Sequence, residues 1–515
     1  MAGAGSDQIG VVTRLSCLGC GPGPEREKVM SSTQVDRRPP PVYLNVGAER
    51  LAQGSGGFGV HVDPTCGQVD AQVPLAGPIE VERAVAAAHA AFEVWRATPP
   101  WQRRRLLTKL ADAIQDNAAE FARLGTLDNG MAISTAVGFA HQAADWTHYY
   151  AGYADKVRGE TNTHFVADGD FSYTLALPYG VIGVIITWNG PLVSLAMKIP
   201  AALAAGNAVV VKPSELTPFS AQLYADLVAE VGFPPGVVNI LPGTGEAGSA
   251  LVGHPLVAKV TFTGGPETAR KILHSCAETM KPAVLELGGK SANIIFEDAD
   301  LDTACEWGAR RVLGTLSGQG CGFPTRMVVH EKVYDEVVGR VAAIAQRIRV
   351  GDPFDPRTDT GPLVSQAAVD RVLAMIGRAG LDGARLVVGG SRLGGAYAKG
   401  FYIEPTVFAD VDPLSELGQK EVFGPVLAIM KFSSEEDAIR IANCTRYGLA
   451  SYIQTTDLRR AHRVAERLTG GTMINGAQHT KVSRPFGGSG LSGYGREGGR
   501  QGIEEFLQVK SIGVG

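Results

Sequence analysis

The chain has 515 residues, more than the roughly 250–300 that one hydrophobic core accommodates, so its length predicts two or more domains. Glycine is abundant at 65 residues, while 45% of the chain is hydrophobic and 19% is charged, which excludes a collagen-like repeat and a disordered chain. The formal net charge of −4 comes from 48 basic and 52 acidic residues and indicates no nucleic-acid partner.

The cysteines are sparse and irregularly spaced, so no secreted disulfide framework is expected and we predict a reducing, cytoplasmic environment. Cys17 and Cys20 form a Cys-x-x-Cys pair without a second pair or histidines at zinc spacing, and no metal site is predicted. Residues 1–40 have little apolar periodicity and no secretory signal, so we expect a disordered extension, within which Met30 offers an internal translation start.

Helical periodicity predicts a helix over Gly77–Thr98 and a further helical stretch over 103–127. Between Tyr173 and Gly289, short β-branched runs alternate with helical patterns, and the alternation resumes from Ser291 to about Ile474. Strands that alternate with helices are typical of parallel, doubly wound sheets, so two α/β domains are expected.

One stretch could be mistaken for a membrane span, because no charged residue occurs from Phe171 to Met197. It contains Pro178 and the turn Asn189-Gly190-Pro191, which would leave backbone groups unpaired in lipid. We therefore predict a strand at 181–186 and a helix at 192–205 in a buried core.

Polar, glycine-rich turns follow three predicted strands, at the sheet edge where parallel sheets bind ligands. These turns begin at Lys212, Pro242 and Gly264. Glycine turns that open a helix let backbone N–H groups approach a phosphate, and a glutamate such as Glu215 accepts hydrogen bonds from a ribose and repels a 2′-phosphate. One such turn would merely join a strand to a helix, but three in one sheet predict a nucleotide site.

Cys321 is the candidate nucleophile. It lies in Ser317-Gly-Gln-Gly-Cys-Gly322, where glycines remove cover and expose backbone amides that can stabilise a thiolate and an oxyanion. Most intracellular cysteines are small buried hydrophobes, and Cys276, Cys305 and Cys444 fit that interpretation within helical patterns.

Two other polar residues complete a candidate catalytic set. Glu286 ends an apolar strand, where burial would raise its pKa and suit it to act as a general base, or it pairs with Lys290 for structure. Asn189 follows another strand, and its amide is suited to donating to an oxyanion, although Asn-Gly-Pro alone signals only a turn.

Together these residues resemble the NAD(P)-dependent aldehyde dehydrogenase superfamily over about residues 43–515. The matching motifs, in order, are Trp188-Asn-x-Pro191, Lys212-Pro-Ser-Glu215, Phe262-Thr-Gly264, Glu286-Leu-Gly-Gly-Lys290, Gly318-Gln-x-Cys321, Glu421-x-Phe423-Gly-Pro425 and Pro485-Phe-Gly-Gly488.

The resemblance implies an α/β fold with a Rossmann-like cofactor domain, an α/β catalytic domain and a small β oligomerisation arm, assembled as a homodimer or homotetramer. The flap with strand signals around the turn Asp168-Gly-Asp170 would belong to the arm. The expected division after the extension is 41–155 with 178–286 for NAD binding, 287–480 for catalysis, and 156–177 with 495–515 for the arm.

The resemblance also implies a mechanism in which Cys321 attacks the aldehyde carbon, Asn189 and the Cys321 N–H hold the oxyanion, and Glu286 activates water to release the acid from a thioester. Glu215 favours NAD over NADP. The implied cofactor residues are Thr187, Trp188, Lys212, Ser214, Glu215, Gly245, Gly248, Phe262, Thr263, Gly264, Gly265, Leu287, Glu421 and Phe423.

The aldehyde pocket is expected at positions that often carry bulk in the family. These are Gly190, Met197, Gly320 and Thr480, with Gly322 and Phe486 beside them. Small residues there would leave volume, and no arginine stands at these positions, so the prediction is a bulky apolar aldehyde, aromatic or terpenoid-like. A departure from the family pattern is Gly322-Phe323-Pro324, which replaces a run of small residues.

Two alternatives remain open. The thioester could pass to coenzyme A or phosphate instead of water, which Glu286 argues against. The chain could also be a catalytically silent binding homologue, which the intact set of Cys321, Glu286 and Asn189 argues against.

Overall fold

The structure is a computed structural model, and it describes residues 35–163 and 171–514. The strands are β1 (Leu44–Val46), β2 (Glu49–Leu51), β3 (Phe58–Asp63), β4 (Gln68–Pro74), β5 (Thr161–Thr163), β6 (Phe171–Pro178), β7 (Val181–Ile185), β8 (Ala208–Lys212), β9 (Val238–Ile240), β10 (Val257–Gly264), β11 (Ala283–Leu287), β12 (Ala292–Ile295), β13 (Arg326–His330), β14 (Arg385–Val388), β15 (Thr406–Ala409), β16 (Val426–Phe432), β17 (Ala450–Gln454), β18 (Gly471–Ile474), β19 (Gly493–Tyr494) and β20 (Leu507–Val514).

The α-helices alternate with these strands after β6. They are α1 (Pro78–Ala97), α2 (Pro100–Asp116), α3 (Ala118–Asn129), α4 (Ile133–Ala151), α5 (Pro191–Ala205), α6 (Phe219–Val231), α7 (Gly245–Gly253), α8 (Pro266–Ala277), α9 (Leu301–Leu313), α10 (Tyr334–Arg347), α11 (Gln366–Leu381), α12 (Glu416–Gln419), α13 (Glu435–Asn443), α14 (Leu458–Ala465) and α15 (Gly499–Glu504).

The first large sheet has the order β19-β11-β10-β7-β8-β9-β1-β2. Its central strands β11, β10, β7, β8 and β9 are parallel, and β1, β2 and β19 add antiparallel edges. Every residue of β7, β8 and β11 is buried, as expected for strands covered by helices on both faces. The carboxyl ends of the parallel strands therefore share one edge, at which Lys212, Gly264 and Leu287 lie.

The second sheet has the order β14-β15-β16-β13-β12-β17-β18 and is parallel except for β14. After it the chain returns to the first sheet, where β19 pairs with β11 and aligns Gly493 with Glu286. This return brings the loops between β18 and β19 over the carboxyl end of β11.

The predicted elements of the apolar run are confirmed, with β7, α5 and β8 at the expected places. No described helix is long and apolar enough to cross a membrane. The helical stretch predicted over 103–127 is two helices, α2 and α3, because the chain turns at Asn117, whose Nδ2 donates to the Ala113 carbonyl at 2.8 Å and satisfies the end of α2.

A small antiparallel sheet joins two segments that are far apart in sequence. β6 pairs with β20 along its whole length, from Phe171 opposite Val514 to Pro178 opposite Leu507, and β5 adds a third strand. The predicted turn at 168–170, the pair Cys17 and Cys20, and Met30 lie outside the described residues.

Candidate active site

The loop between α9 and β13 places Cys321. A 3₁₀ turn at Leu316–Gly318 precedes it, and Ser317 has a left-handed φ of 50° that is held by its backbone N–H donating to Thr360 Oγ1 at 3.0 Å. Gly318 is required in this turn, because its φ is +74° and an added Cβ would lie 2.0 Å from the Gly424 carbonyl oxygen. The turn fixes where the thiol points.

Asn189 lies in the loop between β7 and α5. Its side-chain amide Nδ2 donates to the Gln319 carbonyl at 2.7 Å, two residues before Cys321. The amide and the thiol loop are therefore in direct contact, as a shared oxyanion site requires.

Glu286 ends β11 and is 3% exposed. Neither of its carboxylate oxygens has a hydrogen-bond partner among the residues that the structure describes. Burial, together with the nearby charge of Glu497, raises its pKa well above the ordinary value. Its Oε1 lies against Gly487, where an added Cβ would come within 2.7 Å, so the turn at 485–488 covers the carboxyl group.

The Cys321 thiol lies close enough to Glu286 and Glu421 to feel their charges. Burial and these two carboxylates raise its pKa to about 12. The thiol is therefore protonated at neutral pH and needs a base before it can attack. Glu286, with its raised pKa and unpaired oxygens, is chemically suited to take a proton from the thiol or from water.

The residues predicted to bind the nucleotide lie at the carboxyl ends of the parallel strands of the first sheet. Lys212 Nζ donates to the carbonyls of Pro213 and Gly243, at 2.8 and 2.7 Å, and lies 3.9 Å from a Glu215 oxygen. Gly248 on α7 faces the Lys212 side chain, since a Cβ there would lie 3.5 Å from its Cδ.

Two helices point their amino ends at open space on this edge. Gly245 begins α7 and Gly265 caps α8, and a Cβ added at either would meet no atom within 4 Å. Helix amino ends with uncovered N–H groups favour a phosphate. The residues present therefore fit a dinucleotide.

The other predicted cofactor residues lie at the ends of β10 and β8. Phe262, Thr263 and Gly264 are the last residues of β10, before α8. Ser214 stabilises the turn after β8, because its Oγ accepts a hydrogen bond from Leu216 N at 3.2 Å.

A second group of the predicted cofactor residues lies where the two large sheets meet. Glu421 accepts a hydrogen bond from Gly289 N at 2.9 Å, and burial raises its pKa to about 7. Gly288 must lack a side chain, because an added Cβ would lie 2.1 Å from Glu421 Oε2. Phe423 contacts Trp188 edge to face, with ring centroids 5.4 Å apart. Thr187 lies two residues after β7, Leu287 is the last residue of β11, and β10 separates these two strands.

Comparison with known proteins identifies this arrangement. The sequence model of the Aldehyde dehydrogenase family matches residues 54–512. The chain belongs to this family. It is 42% identical to an aldehyde dehydrogenase of Enchytraeus buchholzi, with 88% of this chain and 91% of that protein aligned. It is 43% identical to a betaine aldehyde dehydrogenase of Cereibacter sphaeroides, with 88% and 92% aligned.

The solved structures agree with the sequence comparison. An NAD⁺ complex of the aldehyde dehydrogenase from Bacillus cereus superposes with a TM-score of 0.88 at 38% identity and covers 92% of this chain and 96% of that one. The chain is therefore an aldehyde dehydrogenase with the α/β fold of that family, which uses NAD or NADP.

The glycines predicted to line the aldehyde pocket have less free space beside them than expected. The prediction that Gly320 leaves volume is wrong, because the Phe323 ring folds back onto it and an added Cβ would lie 2.5 Å from a ring carbon. At Gly322 the space is likewise filled, by His479, whose Nδ1 would lie 2.7 Å from an added Cβ. At Gly190 an added Cβ would only touch the Phe139 ring, at 3.5 Å.

The other predicted pocket residues surround these glycines. Thr480 accepts hydrogen bonds from Gln142 on α4 at 3.3 Å through both its carbonyl and its hydroxyl. Phe486 is buried and packs on His479, with ring centroids 4.8 Å apart. Met197 is buried on α5 in the core cluster against which Cys321 packs.

Sequence reasoning missed several residues near the site. Lys198 and Glu497 form a buried ion pair, and both charges act on the pKa of Glu286. A signal existed for Lys198, a lone charge in an otherwise apolar helix, but Glu497 is 299 positions away. Asn129 was also missed, and its Nδ2 donates to the carbonyls of Trp188 and Asn189, at 2.9 and 3.4 Å.

Proposed function

We propose that the chain oxidises an aldehyde to the carboxylic acid with NAD, through a thioester on Cys321 that Glu286 helps to hydrolyse. The observation that carries the proposal is the Glu286 carboxyl group, which is buried, has no hydrogen-bond partner among the described residues and lies near enough to the Cys321 thiol to raise its pKa. The Asn189 amide is hydrogen-bonded to the loop that carries Cys321. A base, a nucleophile and an oxyanion donor are the parts that this reaction needs.

In the first half of the reaction, Glu286 accepts the thiol proton and Cys321 Sγ bonds to the aldehyde carbon. The oxygen, now negative, is held by the second N–H of Asn189 Nδ2, which the Gln319 carbonyl does not use, and by the Cys321 N–H. NAD, when bound, supplies the acceptor for the hydride that leaves this carbon as the C=O bond re-forms. Glu286 then releases the thiol proton to solvent. In the second half it accepts a proton from water as the oxygen of that water attacks the thioester, and the C–S bond breaks to give the acid and a thiolate that takes this proton back from Glu286.

NAD rather than NADP is proposed because Glu215 lies in the turn after β8, where the resemblance puts the adenosine ribose, and its charge opposes a 2′-phosphate. Its Oε2 lies 3.9 Å from Lys212 Nζ. The residues that would hold the dinucleotide are those predicted from the turns and motifs, with the phosphates at the amino ends of α7 and α8 and the nicotinamide ribose at Glu421. Titration of the protein with NAD and NADP, followed by tryptophan fluorescence, tests this preference, and tighter binding of NADP would contradict it.

One variant and one added substrate test the chemistry. Cys321→Ala is expected to form no NADH from any aldehyde, and retained turnover would contradict the proposed nucleophile. Adding coenzyme A to the wild-type enzyme is expected to leave the free acid as the product. A coenzyme A thioester would instead favour acyl transfer, and no turnover with any aldehyde would favour a silent homologue.

We also propose the predicted division into a cofactor domain, a catalytic domain and an arm formed by β5, β6 and β20, with the arm joining subunits of a homo-oligomer in the cytoplasm. Sedimentation of the full chain and of a chain cut before β20 tests the arm, and an unchanged oligomer would contradict it.

The predicted bulky apolar aldehyde is left with weaker support, since the volume expected at Gly320 is filled by Phe323.

A further inference from the structure

Two arginines near the candidate site have no acidic partner. Arg311 lies on α9 and is exposed, and Arg484 lies in the loop between β18 and β19. Within residues 35–163 and 171–514, neither guanidinium forms an ion pair, and Arg484 bonds only through Nη1, which donates to the Gln478 carbonyl at 2.7 Å and contacts Met473 Sδ. By contrast Arg310, next to Arg311, pairs with both Glu306 and Asp359.

The first arginine is linked to the nucleophile loop through the ring of Phe323. The Arg311 guanidinium carbon lies 5.3 Å from the centroid of the Phe323 ring. That ring in turn lies against Gly320, next to Cys321. One aromatic side chain therefore separates this cation from the nucleophile loop.

The second arginine is linked to the nucleophile loop through the segment Gln478-His479. Arg484 donates to the carbonyl of Gln478, whose neighbour His479 fills the space beside Gly322. Both arginines, with burial, lower the pKa of His479 to about 4, so this histidine stays neutral and the two cations face the same ring. They therefore converge on one side of Cys321 from different elements.

Resting on the proposed function above, we propose that Arg311 and Arg484 bind an anionic group at the far end of the substrate, so that the enzyme prefers aldehydes with a remote carboxylate, the ω-oxo acids. A guanidinium without an acidic partner is suited to bidentate carboxylate binding. The apolar aldehyde predicted from the sequence depended on free volume at Gly320, which Phe323 fills, and on the absence of arginine at the predicted pocket positions, whereas Arg311 and Arg484 come from outside those positions.

The test compares kcat/KM for succinic, glutaric and adipic semialdehydes with kcat/KM for the n-alkanals of equal carbon number. At least one semialdehyde is expected to exceed its alkanal by about 10-fold or more, since a hydrogen-bonded charge contributes that much. The preference is expected to fall as salt is added. Equal values across all three pairs would overturn the proposal.

Variants assign the preference to the two residues. Arg311→Gln and Arg484→Gln are each expected to raise KM for the preferred semialdehyde about 10-fold and to leave the alkanal within about 2-fold, and Arg311→Lys should recover part of the loss. Arg105→Gln removes an exposed arginine on α2 and serves as the matched control. An equal loss on both substrate series would overturn the proposal.

The outcomes separate this inference from the function on which it rests. NADH formation from alkanals and semialdehydes at equal efficiency overturns the carboxylate preference alone. No NADH from any of these aldehydes overturns the proposed function and the preference with it.

Discussion

Asn129 holds the loop that carries the proposed oxyanion amide, which makes it a sharp test of how the site is positioned. Its Nδ2 donates to the Trp188 and Asn189 carbonyls, and its Oδ1 accepts from Met131 N at 3.1 Å. It is 4% exposed, so no water can replace it without rearrangement. Asn129→Ala leaves buried polar groups unpaired, which costs about 1–3 kcal/mol in the free energy of unfolding.

The effect on catalysis has an upper bound. Removing an oxyanion donor costs about 10²–10³-fold in kcat, so Asn189→Ala sets the largest loss that moving the Asn189 amide can cause. We expect Asn129→Ala to lower kcat by about 10-fold or more within that bound, because a displacement of about 1 Å already weakens catalysis substantially.

The assay is steady-state NADH formation together with urea unfolding. Asn117→Ala is the matched control, since Asn117 also donates Nδ2 to a carbonyl, that of Ala113 at 2.8 Å, but lies at the end of α2. The control should lose stability and keep its kcat. If Asn129→Ala loses stability while kcat stays within about 2-fold of wild type, the positioning role is refuted.

Three further predictions follow from the same contacts. Glu286→Gln should lower the rate of NADH formation about 10²–10⁴-fold without a burst, because both the thiol and the attacking water lose their base, and a burst at the wild-type rate in stopped-flow absorbance would contradict the role of Glu286 in activating the thiol. Glu421 has a pKa of about 7 in the fold and 4.5 ordinarily, so its ionisation weakens the folded state as pH rises through this window. Glu421→Gln should therefore gain up to about 3 kcal/mol in unfolding free energy above pH 8 and nothing below pH 4, as measured by urea unfolding across pH. Gly320→Ala should lose about 1–3 kcal/mol through its clash with Phe323, and Phe323→Ala in the same chain should relieve the clash, whereas Gly377→Ala in open space on α11 should cost nothing.

The sequence predicted best what depends on local pattern. β-Branched runs became strands because strands buried on both faces must be continuously apolar, and polar residues after those runs came to share one edge because parallel strands align their carboxyl ends. Lys212, Gly264 and Leu287 lie together for this reason. The contact between Asn189 and the Cys321 loop spans 130 positions and followed from motif resemblance, not from any local signal.

Other features depend on contacts that no local pattern carries. From the sequence, Gly320 beside the nucleophile predicts free volume. The ring of Phe323 fills that volume, because the loop folds this side chain back onto Gly320. The pairing of Lys198 with Glu497, and the meeting of Arg311 and Arg484 around His479, join elements from different parts of the chain. Side-chain charges at such points can be read only after the fold brings them together.

The layout of charge around Cys321 connects the two proposals. Two positive groups close to the catalytic core have partners, since Lys198 pairs with Glu497 and the Arg326 guanidinium donates to the carbonyls of Ile441 and Ala442 at the end of α13. Burial and the carboxylates of Glu421 and Glu286 keep the thiol protonated until a base acts. Among the residues that the structure describes, Arg311 and Arg484 have no acidic partner, and the proposal puts them on the aldehyde side of Cys321, where they do not contact the thiol. A substrate anion bound there would be drawn to the arginines and kept away from Glu286 and Glu421, which would hold its aldehyde end toward Cys321.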